Sequence, residues 1–480
     1  MKARIFWILP LSIALAGCAS YKDDTESLRS AWAAGNVNGA ASIATTKAAD
    51  KQNSGDALLW YLEAGATTRA AGNFTESLST FGKADDRFAY WDDQAKISVS
   101  GGVASLIVNP TVEAYRGTAY DRITTSTYRA LDYLQTGHYD EARVEINRSL
   151  DRQRDAVTAN ADRIEKAQKD AAQASAASHN NNPNNPNGNS YDVERAENDP
   201  HFHSQITQAY SNLDNLHYYA PYVNPFSVYL EGVYFLARGD TPSDYERARL
   251  ALNRVKGMIT DNPYITADCD LAEKMAAGSA QLPKLTYVIF ETGMAPIREE
   301  VRLDIPLFIV SRSVPYVGVA FPQLKFNGQF NPGLTVSATG TEPLKTALLC
   351  DMDSVIAQEF KNELPAIIAH TLISAGAKAA AQYGIYAATK KNDTLSAIFE
   401  IAGVAYQYTT NRADLRTWVT LPKQFVFCRL ITPDDRKLHI RSDGSGESLD
   451  IDLPPGQVTM VYVKSNSYGN HLLSNAFTLR

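Results

Sequence analysis

The chain has 480 residues, 21% of them charged, and a formal net charge of -7. With 44% hydrophobic residues, it is long enough for two to four domains with sizeable cores. The mild acidity, with no stripe of Lys or Arg, excludes the electrostatic footprint of a nucleic-acid binder.

The first stretch, MKARIFWILPLSIALAGCAS, sets Lys2 and Arg4 ahead of an apolar run from Ile5 to Ala16. Such a run suits the core of a secretory signal and is too short to span a bilayer comfortably. It ends in Leu15-Ala16-Gly17-Cys18, which resembles the lipobox of bacterial lipoproteins. The resemblance implies a signal peptide over 1–17, lipid attachment at Cys18 and a short tether over 18–24. Several acyl chains, at about 0.8 kcal/mol per buried methylene, hold far more firmly than one. Ala19 and Ser20 follow, where an aspartate would retain such a lipoprotein in the inner membrane. The expected location is therefore the outer membrane, facing the periplasm. Three more cysteines, Cys269, Cys350 and Cys428, allow one bridge in an oxidising compartment. In FVFCRL, alternation places Val426, Cys428 and Leu430 on one face of a strand. A Cys350–Cys428 disulfide is the candidate pairing, set against buried, inert thiols.

From 25 to 283 the pattern is helical and repeats itself. GNVNGAA, GNFTESL, GHYDEAR and GDTPSDYERARLAL begin at Gly35, Gly72, Gly137 and Gly239. Each sets a glycine and a polar residue at a helix end, with a small residue (Ala40, Ser77, Ala142, Ala248) in the next helix. Gly65 and Gly232 precede two of these turns where a close helix crossing needs a small residue. The first three glycines stand near one and two units of the ~34-residue tetratricopeptide period. The pattern resembles that repeat in degenerate form, with Thr68 where an aromatic is usual. A stack of such hairpins implies a curved solenoid whose groove holds polypeptide. The resemblance places Leu62, Arg69, Thr127 and Leu134 in that partner-binding groove. A long polar helix over 151–174 then leads to SHNNNPNNPNGNSYD, so a disordered Asn/Pro-rich loop is expected over about 176–198. His201 and His203 in DPHFH lack a second pair to complete a metal site.

After Leu285 the period changes from about 3.6 to 2. LTYVIFETGMAPIREEVRLDIP predicts a hairpin with a break at Thr292-Gly293 and Pro296. YVGVAFPQLKF, GLTVSAT, KQFVFCRLI, KLHIRSD, SLDIDLP and QVTMVYVKS add strands, making 284–480 a β-rich domain. An Ala-rich helical insert over about 351–409 interrupts it, with Asp351 or Asp353 as cap and Pro365 opening a second helix. His370, Lys378, Gln382 and Glu400 make membrane entry by this insert costly. The fold class expected is multidomain α + β: an N-terminal α-helical solenoid of tetratricopeptide-like repeats, then a C-terminal antiparallel sheet or sandwich with a helical insert.

Four segments carry a wider likeness: AYRGTAYDRITTSTYRALDYLQTGHYDEARVEINRS, NPFSVYLEGVYFLARGD, FETGMAPIREEVRLDIP and NRADLRTWVTLP. With them the chain resembles an uncharacterised family of bacterial outer-membrane lipoproteins with tetratricopeptide-like repeats. The resemblance implies a tethered scaffold for periplasmic or outer-membrane protein partners, in envelope or secretion complex assembly. The second reading is a peptidoglycan or glycan binder, with Tyr316, Trp418 or Tyr462 stacking on sugars. An enzyme is the weakest reading. The sequence has no G-x-S-x-G elbow, H-E-x-x-H pair or phosphate loop, and adjacent Glu299 and Glu300 on a strand face opposite ways. No metal, cofactor or nucleic acid is expected; the membrane is met through the lipid.

Overall fold

The structure is a computed structural model that describes residues 21–97, 113–180, 193–306, 316–389 and 412–480. Helices form the first half: α1 (Tyr21–Asp24), α2 (Glu26–Ala33), α3 (Val37–Asp50), α4 (Ala57–Ala70), α5 (Phe74–Ile97), α6 (Ala119–Gln135), α7 (Tyr139–Asn180), α8 (Val193–Glu197), α9 (Pro200–Tyr210), α10 (Pro225–Arg238), α11 (Pro242–Met258) and α12 (Pro263–Ala276). The repeated turns behave alike. Gly72 and Gly137 sit at φ 80° and 78°, a left-handed conformation that costs glycine no side-chain clash. In each, the glycine N–H and the next N–H return to the carbonyls three and five residues back: Arg69 and Thr68, then Leu134 and Tyr133. Gly35 repeats the arrangement, whereas Gly239 is extended at φ -63°. The crossing glycines are tightly enclosed. A methyl on Gly65 would lie 2.5 Å from the Phe81 ring, and one on Gly232 2.6 Å from Leu252.

The strands are β1 (Leu285–Thr292), β2 (Ile297–Pro306), β3 (Tyr316–Lys325), β4 (Leu334–Ser337), β5 (Leu344–Lys345), β6 (Ala347–Asp351), β7 (Gln424–Ile431), β8 (Lys437–Ser442), β9 (Ser448–Asp452), β10 (Val458–Ser465) and β11 (Leu473–Thr478). They form a five-stranded sheet β11-β10-β1-β7-β6, a four-stranded sheet β5-β4-β8-β9 and a β2-β3 ribbon. The hairpin expected from β1 and β2 is not formed. Every residue of β1 is buried, so it lies inside the five-stranded sheet, parallel to β10 and antiparallel to β7. β2 pairs only with β3.

Alternation gives the five-stranded sheet two buried faces. Val288, Phe290, Val426, Cys428, Val461 and Val463 pack on Leu334, Val336, Leu438 and Ile440 of the four-stranded sheet, forming a sandwich. Tyr287, Ile289, Phe425, Phe427, Met460 and Tyr462 face the helices, in one core with Trp32, Trp60, Phe81, Tyr128 and Tyr229. The expected boundary at 283/284 therefore crosses a shared core. Cys350 belongs to the helix-side core and Cys428 to the sandwich. The proposed bridge is thus corrected: the sheet itself separates the two thiols, and Cys269, Cys350 and Cys428 are all free and buried.

The insert also differs from its expected form. Helix α13 (Met352–Thr389) runs through Pro365 without a break. Asp351 supplies its cap, accepting from the Asp353 N–H at 3.1 Å and the Ser354 hydroxyl at 2.6 Å. Its middle packs with α8, α9, β2 and β3 in a satellite core around Phe202, Ile305, Phe321 and Leu372. The expected 390–409 helix lies outside the described residues, as do the signal peptide and Cys18. Of the expected tether, residues 18–20 lie outside the described residues, and Tyr21–Asp24 form helix α1 with Tyr21 buried. Residues 176–180 end α7 and 193–197 form α8, so only 181–192 of the expected loop lies outside the described residues. Among the described residues no helix is long and apolar enough to cross a membrane.

Candidate functional site

Helix α4 is apolar almost all round, which marks a helix covered on every side. Its charged side chains, Glu63 and Arg69, are both buried, and a buried charge persists only with partners. Arg69 pairs through Nη1 with Asp132 on α6, and the Ser77 hydroxyl of α5 donates to the second Asp132 oxygen at 2.7 Å. The guanidinium carbon stands 5.3 Å from the Tyr128 ring centroid and 4.8 Å from that of Tyr462.

The facing groups come from the five-stranded sheet. Glu291 of β1 and Lys464 of β10 are register partners, so their side chains share the helix-side face. Glu291 is an ion-pair partner of Lys464 and accepts from the Tyr462 hydroxyl, while the Tyr128 hydroxyl donates to it at 3.1 Å. Lys464 also lies 4.8 Å from the Trp32 ring centroid. Burial alone would raise the Glu291 carboxyl, but Lys464, Tyr462 and Arg69 outweigh it and hold the group below its ordinary range. Asp132 goes the other way: burial pushes it up to about 6 despite Arg69 and Ser77. Burial also lifts Tyr128 and Tyr462 well above 10, so both remain neutral hydroxyl donors. Arg69, Tyr128, Glu291, Tyr462 and Lys464 form the inner wall of a partly open cavity of about 290 Å³ at the helix–sheet junction.

Other carboxylates fasten the same junction. Glu63 accepts from the Val419 N–H at 2.7 Å, the Thr420 N–H and hydroxyl at 3.2 and 2.6 Å, and the Tyr21 hydroxyl at 3.0 Å. Burial still lifts it to about 7. Glu359 of α13 accepts from the Ala119 and Tyr120 N–H groups at 2.7 and 3.0 Å, satisfying free donors at the start of α6. Asp268 of α12 accepts from the Tyr229 and Tyr287 hydroxyls at 2.7 and 3.0 Å and meets Arg429 at 3.1 Å. Chemically, these carboxylates are committed to fixed donors, an arrangement suited to rigid holding.

The four groove residues need correcting. Leu62, Arg69, Thr127 and Leu134 are all buried, Arg69 beneath Tyr462 of the chain's own sheet and Thr127 against Ser149 and Ser227 of neighbouring helices. Arg69 reaches across to α6, the helix that carries Thr127 and Leu134, and Thr127 meets Ser227 of α10 at 2.6 Å. Of the aromatics considered for sugar stacking, Trp418 is core against Phe81 and Tyr128. Tyr462 lies inside the junction, and Tyr316 stands edge-on to His201 at 4.9 Å. Among the described residues no group of three or more His, Cys, Asp or Glu is placed to hold a metal. Glu63, Asp132, Glu291 and Lys464 belong to no motif; their one signal in the sequence is a charge inside an otherwise apolar element, as in LLWYLEAGATTRA and TYVIFET.

Comparison of the chain with family models, curated proteins and solved structures returns no match.

Proposed function

We propose that this protein is a periplasm-facing lipoprotein, anchored in the outer membrane through Cys18, which holds other envelope polypeptides in place as a scaffold or accessory factor. The reading takes the hairpins α2–α3, α4–α5, α6–α7 and α10–α11 as degenerate tetratricopeptide-like units. The recurring left-handed glycine turns and the enclosed crossing glycines support it. The observation that carries the scaffold reading is the joining of helices and sheet into one body by a shared core, the buried Arg429–Asp268 pair and the Tyr128–Glu291 and Tyr287–Asp268 hydrogen bonds. Such a body offers its partners fixed surfaces, without paying for reorganisation on binding.

Because the inner side of the hairpins is filled, the partner surface is placed on the outer ridge of the second helices. There Val144 of α7 and Leu250 of α11 are 54% and 57% exposed, on helices joined by Arg247 and Asn147 at 2.5 Å. The test has two arms. Cys18→Ser is expected to abolish incorporation of labelled palmitate and release the protein from the outer-membrane fraction. A photocrosslinking residue at position 144 or 250 in intact cells is expected to give discrete protein adducts, and one at the exposed Tyr468 is not. Retained palmitate in the serine variant would sink the anchor. Equal or no adducts at all three positions would sink the scaffold.

A further inference from the structure

The junction cavity has an unbalanced set of hydrogen-bonding groups. Its deep wall is made by buried Arg69, Tyr128, Glu291, Tyr462 and Lys464. Its acceptors are spent: Glu291 takes Lys464 and both tyrosine hydroxyls, and Asp132 behind Arg69 takes Ser77 and the guanidinium. Its donors are not. Arg69 Nη2 is buried without a hydrogen-bond partner, although the whole residue is only 6% exposed. An ammonium carries three N–H groups, and Lys464 spends one on Glu291. A buried N–H left unmet is costly, so these donors call for an acceptor from outside the chain.

The rest of the cavity narrows what that acceptor is. Two cations and two carboxylates leave the cluster without formal net charge, which suits a single negative charge better than a doubly charged phosphate. The mouth is half-buried Ala70, Phe74 and Leu473, with Gln135 and Asn475 beside them. Asn475 Nδ2 donates to Gln135 Oε1 at 2.8 Å, which leaves the Gln135 amide N–H groups and the Asn475 carbonyl available as a donor and acceptor pair. That pair complements a peptide group, and the apolar wall complements a small aliphatic substituent.

We propose that the cavity binds a carboxylate bearing a small aliphatic group, the carboxylate drawn to the Lys464 ammonium and the Arg69 guanidinium and the substituent resting on Ala70, Phe74 and Leu473. A polypeptide C-terminus and a free small carboxylic acid share this chemistry. The site stands on the cavity itself and holds whether or not the outer ridge binds proteins.

The test is calorimetric titration of the full chain in detergent with N-acetyl-alanyl-alanine, the same dipeptide as its C-terminal amide, and free alanine. Saturable binding of the acid is expected, weakened about tenfold or more by amidation because the charge-assisted bonds are lost. Ala70→Phe, which narrows the mouth and leaves every ion pair in place, is expected to weaken it to a similar degree. Arg69→Lys adds a second reading if it folds, with weaker acid binding and unchanged amide binding. Tighter binding of the dipeptide than of alanine supports the site and assigns it to chain ends. Equal or tighter binding of alanine supports it and assigns it to small acids. No saturable binding of any acid, equal binding of acid and amide, or full binding by Ala70→Phe would overturn the proposal.

Discussion

The five-stranded sheet has two faces built on opposite terms. Towards the sandwich it presents Val288, Phe290, Val426, Cys428, Val461 and Val463, an apolar surface met by apolar residues. Towards the helices it presents Ile289, Phe425, Phe427 and Met460 and, set among them, Tyr287, Glu291, Arg429, Tyr462 and Lys464, each charge answered from a neighbouring strand or an opposing helix. An apolar face gains from burial in almost any orientation. A charged face stabilises only one docking, because a shifted partner leaves an unpaired buried charge. The difference teaches that the sandwich side is held by apolar burial alone, whereas the helix side adds to its own larger apolar core a set of paired charges that favours one arrangement of helices on sheet.

The sharpest way to break this contrast is Asp132→Ala, which strands the Arg69 guanidinium. A loss of about 3–5 kcal/mol is expected in urea unfolding, and a loss below 1 kcal/mol on the order of a surface pair would refute the specificity argument. Tyr462→Phe removes a hydroxyl that serves a charged carboxylate, with an expected loss of about 1.5–3 kcal/mol, read from the same urea curves.

Acidity separates the faces next. Glu63 and Asp132 have folded values raised to about 7 and 6, so the folded chain binds more protons than the unfolded one between their ordinary values and these. Their contribution is present below the ordinary carboxylate range and is lost as pH rises through 6 to 7. Melting temperature is expected to fall between pH 5 and pH 8, with a slope of at most about 1.4 kcal/mol per pH unit for each proton. Glu63→Gln should flatten the upper part of that profile. Glu291, held low, acts oppositely, but only under more acidic conditions. On the sandwich side, Ile440→Val is expected to cost about 0.5–1.5 kcal/mol with no change in pH dependence. A reductant should leave melting unchanged, since Cys350 and Cys428 lie on opposite faces of the sheet.

The hairpins were legible because their signals are local: the turn glycines, the small residues at crossings and the alternation around Cys428 each read within a few residues. The pairing of β1 with β10 was not, since its partner lies far along the chain and Thr292-Gly293 reads like a hairpin break. For the same reason Arg69 read as a groove residue. Its position on the helix could be assigned from the repeat pattern, but Asp132 is 63 residues away and nothing local shows that the chain's own sheet covers that side. Glu63 and Arg69 on an otherwise apolar helix were the available warning, and they mark both a fastening and the deep wall of the junction cavity.

The burial of Tyr21, with its hydroxyl on Glu63, has a consequence for how an anchor at Cys18 would work. Three peptide units separate the two positions, a reach of at most about 10 Å when fully extended. A body moored so closely has little freedom to swing. It would ride against the lipid headgroups with α1 turned towards the bilayer, so its outward surfaces would be set by the mooring point rather than by diffusion on a leash.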